Sequence, residues 1–296
     1  MSTPDDTTVT TERASLPDFA LAVAGLLWMA GLLWSARATI TGRSNAEMEV
    51  TSTAYAMPGA VAASLVAGAA VGLAVVALIG RRRELGATAR FAVATGAGLV
   101  LGLLGALSII TINTEGWVYA VVGGSVAAAA TVGGALAGLR TPRVLAAICW
   151  GAIAVFLVGV LLTFLQDVLF GLFGAGDSAA SRAGAANWYS LTQAVLSGLA
   201  AGVLAYLLLR RARPAWPWYA LAGAGPGLLL IAGEIITRTA GARVLELAGR
   251  VSELELTVQR MLSGSRLNSA LITLFVGAIT AILLVGRTLK PAADED

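Results

Sequence analysis

Long apolar runs separated by short polar stretches set the pattern of this chain. A helix rises 1.5 Å per residue, so crossing about 30 Å of hydrocarbon takes roughly 20 apolar residues. Eight runs qualify: 17–36, 57–80, 91–112, 118–139, 144–165, 191–209, 218–237 and 269–286. Backbone groups in lipid have no water to bond, so each run is expected to be a helix. The alternating apolar and polar pattern of an outer-membrane barrel strand does not occur. The expected fold is all-α: a polytopic membrane helix bundle with about eight transmembrane helices.

One polar stretch has its own period. Val244, Leu247, Val251, Leu254, Val258 and Met261 follow one another at alternating spacings of three and four residues, which is a heptad seam. Gly241 precedes the seam and Ser263-Gly264 follows it. The pattern predicts one extracytoplasmic amphipathic helix of about 20 residues, ending near that glycine. Leu247, Val251, Leu254 and Val258 are its candidate contacts with a second copy of the chain or a membrane protein partner. The alternatives are packing over its own bundle and lying on the membrane surface. The expected organisation is a disordered cytoplasmic tail (1–16), seven spans (17–237), the extracytoplasmic segment (238–268), the last span (269–287) and a cytoplasmic tail (288–296).

Composition agrees with a lipid-embedded chain. Of 296 residues, 57% are hydrophobic and 12% charged, against roughly 25% charged in soluble domains. Mean hydropathy is +0.82. Basic residues cluster in alternate loops: Arg81, Arg82, Arg83 and Arg90; Arg140 and Arg143; Arg210, Arg211 and Arg213; Arg287 and Lys290. By the positive-inside rule these loops face the cytoplasm, with both termini, in an inner (cell) membrane of the bacterial type. Trp34, Trp117, Tyr119, Trp188 and Tyr189 fall at the opposite interface, where aromatic belts form. The stretch leading into the first span holds Asp5, Asp6, Glu12 and, at its start, Asp18 against a single Arg13, so it is expected to stay as a span and not to be cleaved as a signal peptide. The net charge of +3 reflects these clusters; the expected partner is the lipid bilayer, with no nucleic acid.

Small residues recur every fourth position: Ser64, Gly68 and Gly72; Ala94, Gly98, Gly102 and Ala106; Ala130, Gly134 and Gly138; Ala194, Gly198 and Gly202. Such ladders let helix backbones approach closely. Four of them in one chain point to packing within the bundle more than to a dimer face. Gly68 and Gly72 followed by arginines resemble Gly198 and Gly202 followed by arginines, 130 residues on. Either an internal duplication or shared composition produces this likeness, and composition is the simpler explanation.

Candidate chemistry is sparse. The seventh run holds Gly225-Pro226-Gly227, where proline removes a backbone donor and crowds the preceding turn. A kink or break is expected there, and broken helices frame ligand sites in transporters. Glu234 is the deepest acidic residue in any run, and an ionisable group in a membrane is a functional candidate because of its cost. Arg238, one turn on, offers it an ordinary i,i+4 partner. Asp167 is a further candidate at the end of the fifth run. Without histidine, and with Cys149 as the sole cysteine, Ser-His-Asp catalysis and histidine- or cysteine-based zinc, haem and iron–sulfur sites lose their parts. No cofactor is expected, and an intramembrane enzyme stays open as the less favoured reading. Two functions remain: a permease-like transporter or channel component with a site near Gly225, Pro226, Gly227 and Glu234, or a non-catalytic scaffold that contacts a partner through the extracytoplasmic helix.

Overall fold

A computed structural model describes residues 16–41, 46–112, 116–250 and 253–287. The expected tails fall almost wholly outside these residues. The described residues form ten helices and no strand: α1 (Leu16–Thr41), α2 (Ala46–Gly80), α3 (Ala87–Ile110), α4 (Trp117–Ala137), α5 (Pro142–Phe164), α6 (Gln166–Leu172), α7 (Ala179–Leu209), α8 (Trp216–Ala240), α9 (Ala242–Arg250) and α10 (Glu253–Gly286). Eight of them, all but α6 and α9, are long and apolar enough to cross a membrane. The protein is a multi-pass membrane helix bundle.

Bulky side chains point outward and small ones inward. Leu104, Leu161, Phe275 and Leu283 are exposed on the bundle surface, whereas Ala63, Ala67, Ala129, Ala201 and Ala222 are fully buried. Lipid is as apolar as leucine, so helix association gains little from hiding leucine; it gains from close backbone contact across small residues. Central α2, α4 and α8 carry the most buried spans.

The glycine ladders pack inside the bundle, and they do so twice in the same way. In the first half α2, α3 and α4 pack on one another with α1 beside α2; in the second, α7, α8 and α10 do so with α5 beside α7. A β-carbon on Gly68, Gly72, Gly98 or Gly102 would meet Ala130, Ala137, Gly134 or Ala127 of α4 respectively. On Gly198, Gly202, Gly223 or Gly227 it would meet Thr273, Thr280, Gly277 or Ala270 of α10. These pairs map onto each other at one constant offset per helix: 130 residues from α2 to α7, 125 from α3 to α8 and 143 from α4 to α10. Shared composition explains similar ladders but not matched partners on the neighbouring helix. The compositional explanation favoured from the sequence is therefore insufficient, and the halves are parallel copies of one packing unit.

Two local features differ from expectation. The segment after α8 is not one helix ending at Ser263-Gly264. Short α9 covers its start, and α10 runs unbroken from Glu253 through Ser263 and Gly264 into the last span, 34 residues in all. A lone glycine costs a helix only about 1 kcal/mol, and the continuing apolar face outweighs that. The second is α8, which does not break: it is helical throughout with Pro226 in its interior. Gly225 lies against Ile148 of α5, and Pro226 Cγ stands 2.7 Å from where a β-carbon on Gly151 would be. Gly225, Pro226 and Gly151 make a close crossing of α5 and α8, while Gly227 faces α10.

The α9 helix packs against α2, α8 and α10. Val244, the first seam residue, is fully buried, and Val258 is half-buried. Val251 and the side chains of Leu247 and Leu254 lie outside the described residues.

Candidate functional site

Glu234 sits on α8 six residues before its end at Ala240, about 9 Å along the axis. It is 6% exposed. A buried carboxylate is costly unless paired and hydrogen-bonded, and three groups meet it. Oε1 accepts from Arg238 Nε at 2.9 Å and from Ser263 Oγ at 2.5 Å. Oε2 accepts from Arg266 Nε at 3.0 Å. Arg238 also donates from Nη2 to the Ser263 carbonyl at 3.2 Å. The cluster ties α8 to α10 with one carboxylate and two guanidinium groups.

The i,i+4 partner Arg238 is legible in the sequence; Arg266 and Ser263 are not, because they fall in the stretch expected to be a loop. Ser263, Arg266, Ala270 and Thr273 step at three and four residues. A helical reading carried through Gly264 would have placed Ser263 and Arg266 on one face of the last span.

Beside this cluster is a half-open cavity of about 570 Å³ lined by α1, α2, α5, α7, α8 and α10. Its wall carries both partners of the ion pair, Glu234 and Arg266, together with Gln193, Ser197, Ser269 and Thr273. Thr273 donates to the Ala194 carbonyl, while the Ser197 hydroxyl has no hydrogen-bond partner among the described residues. Gln193 reaches across from α7 to α5, its Nε2 standing 3.0 Å from the position of a β-carbon on Gly159. The remaining wall is apolar and includes Trp28 and Phe156, whose rings stack with centroids 4.8 Å apart and planes at 27°. The Trp28 indole Nε1 is buried without a hydrogen-bond partner among the described residues, an unusual state for a donor of that strength.

A second cavity of about 420 Å³ lies between α7 and α10 and includes Asn187 and Asn268. It shares Ser190, Ser265 and Ser269 with the first, and the Ser190 and Ser269 hydroxyls are 3.4 Å apart. The two spaces therefore adjoin along a seam of hydroxyl and amide side chains.

The structure brings only part of the sequence-derived set to this place. Glu234 lines the large cavity, while Gly225, Pro226 and Gly227 are buried in helix contacts and line neither space. Asp167 is exposed in the first turn of α6, away from both. The duplication sharpens the contrast between the halves. At the established offsets Glu234 corresponds to Ile109, Arg266 to Gly123 and Ser263 to Ala120. The first half thus has an apolar α3–α4 contact, with Ile110 against Gly123, where the second has its ion cluster.

No protein-family model, curated protein or solved structure matches the chain.

Proposed function

We propose that the protein is a permease-like transporter or channel component of a cell membrane, holding a small solute in the large cavity, with both termini on the arginine-rich cytoplasmic side. The observation that carries this reading is the 570 Å³ cavity within the spanning helices, walled on one side by the Glu234–Arg266 pair. Its size falls within the range of about 300–1,000 Å³ common to small-molecule sites. A bundle that only anchors or scaffolds can use the ion cluster to tie α8 to α10, but it gains nothing from the cavity beside it. Glu234 is held away from water, Ser197 and Trp28 Nε1 have no hydrogen-bond partner among the described residues, and much of the wall is apolar. A solute returns those interactions. The adjoining α7–α10 seam supplies a polar approach.

Thiol chemistry tests this reading. Cys149, the sole cysteine, is fully buried, so a Cys149→Ala background clears the chain of thiols. Ser197→Cys in that background, purified in mild detergent, should react with a small uncharged methanethiosulfonate within minutes. A second change, Ala62→Trp, should fill the cavity and slow the reaction at least about tenfold. A folded Ser197→Cys protein that does not react in native detergent, yet reacts once unfolded, would sink the reading.

A further inference from the structure

We infer that the solute is a monovalent organic anion, a carboxylate carried on a compact apolar or aromatic body, with Arg266 as its charge partner; this rests on the solute-binding reading above.

Charge selects the sign. One carboxylate, Glu234, faces two guanidinium groups, so the cluster keeps one positive charge in excess. Each guanidinium has five N–H donors. Arg266 uses only its Nε–H, on Glu234; its four terminal N–H donors have no acceptor among the described residues. Arg238 points a terminal amino group away to the Ser263 carbonyl and does not line the cavity. Arg266 does line it, so its free fork is the one a ligand meets. Two parallel N–H donors match the two oxygens of a carboxylate. A cation would be repelled, and a neutral solute would leave the fork unmatched. A divalent anion would leave one negative charge without a partner in the cluster.

Shape selects the body. An inorganic anion fits the Arg266 end but leaves the rest of a 570 Å³ cavity, including the stacked Trp28–Phe156 pair, without a partner. An apolar or flat aromatic body fills that part and displaces its water. Ser197, Gln193 and the Trp28 indole N–H are spare polar groups on the same wall, available to fix orientation. The cluster belongs to the second half alone, so the two equivalent halves hold one such site.

The test is calorimetric titration of the whole protein in a neutral detergent with three probes: benzoate, its neutral isostere benzamide, and inorganic phosphate. Benzoate should bind saturably, with benzamide and phosphate each at least about tenfold weaker, since a hydrogen bond to a charged group is worth roughly that factor or more. Arg266→Ala should weaken benzoate about tenfold or more, and Arg266→Lys less. Ser197→Phe, which fills the cavity and leaves the ion cluster intact, should abolish binding and so guards against misreading a misfolded Arg266→Ala. Equal binding of benzamide and benzoate, lost in Ser197→Phe but not in Arg266→Ala, would overturn the anion assignment and leave the solute-binding reading standing. Phosphate binding as tight as benzoate would remove the organic body. Benzoate binding that survives Ser197→Phe would place it elsewhere and overturn the proposal. No saturable binding by any probe, in a protein whose Ser197→Cys variant is readily labelled, would also overturn it, with the cavity itself still open to solutes.

Discussion

Adding one methyl group at Gly98 gives a sharp test of the packing unit. A β-carbon there would meet the Ala130 carbonyl oxygen and stand 2.9 Å from Gly134 Cα and 3.0 Å from Gly134 N. All three are backbone atoms of α4, so no side chain can rotate away. To restore contact near 3.5 Å, α3 and α4 must separate by about half an ångström or more, loosening the neighbouring Gly102–Ala127 contact as well. Overpacking of this kind costs about 1–3 kcal/mol. At about 2–4 °C per kcal/mol, Gly98→Ala should lower the apparent melting temperature in detergent by about 2–12 °C. Gly223→Ala, its counterpart in α8, meets the backbone of Gly277 and should cost a similar amount. Gly96→Ala is the control. It lies on α3 with nothing within 4 Å of the added carbon, and helix propensity alone makes it neutral or stabilising by up to about 1 kcal/mol. Intrinsic fluorescence melts at one scan rate compare all three, because such unfolding is often irreversible. Gly98→Ala melting within about 1 °C of the parent, or Gly96→Ala proving the more harmful, would refute the close-packed ladder.

Other predictions concern the cluster, the cap and the proline. Glu234→Gln should cost about 1 kcal/mol, because Arg238 and Arg266 are 44% and 37% exposed and water screens both pairs; a double-mutant cycle with Arg266→Gln should return a coupling of about 0.5 kcal/mol or more, and no coupling would contradict the pairing. Val244→Asp buries a charge beneath α9 at a fully buried position and should cost at least about 2 kcal/mol; an unchanged melt would show that α9 does not pack on α2. Pro226→Ala should leave the thiol reactivity of Ser197→Cys unchanged, since α8 is helical through Pro226 and the proline does not line the cavity; loss of reactivity in a folded variant would restore Pro226 to the site.

Hydropathy alone made the eight spans legible, because the cost of an unpaired backbone group in lipid leaves the chain no alternative to helix. The Glu234–Arg238 pair was legible for the same reason that helix periodicity is: both lie on one segment. What failed was anything set by a second segment. Gly225-Pro226-Gly227 reads alike whether it opens a helix or lets α5 approach it, and only Ile148 and Gly151 opposite decide. Gly264 looked like a stop, but in α10 the apolar face on either side carries the helix through it. That error hid Arg266 and Ser263. The polar seam of Asn187, Ser190, Asn268 and Ser269 was split between expected loops and helix ends. The duplication was visible as likeness in the sequence, yet only matched contacts at fixed offsets distinguish it from composition.

The proposed function makes the cavity between α1, α2, α5, α7, α8 and α10 a solute path through the membrane and not a packing defect. The most direct measurement is two-sided labelling of Ser197→Cys, in the Cys149→Ala background, in sealed vesicles of known orientation, with a membrane-impermeant thiol reagent added first outside and then inside. Labelling from either side, with benzoate slowing both, is the expected result. A thiol that stays unlabelled from both sides, in vesicles whose surface control cysteine labels fully, would contradict it.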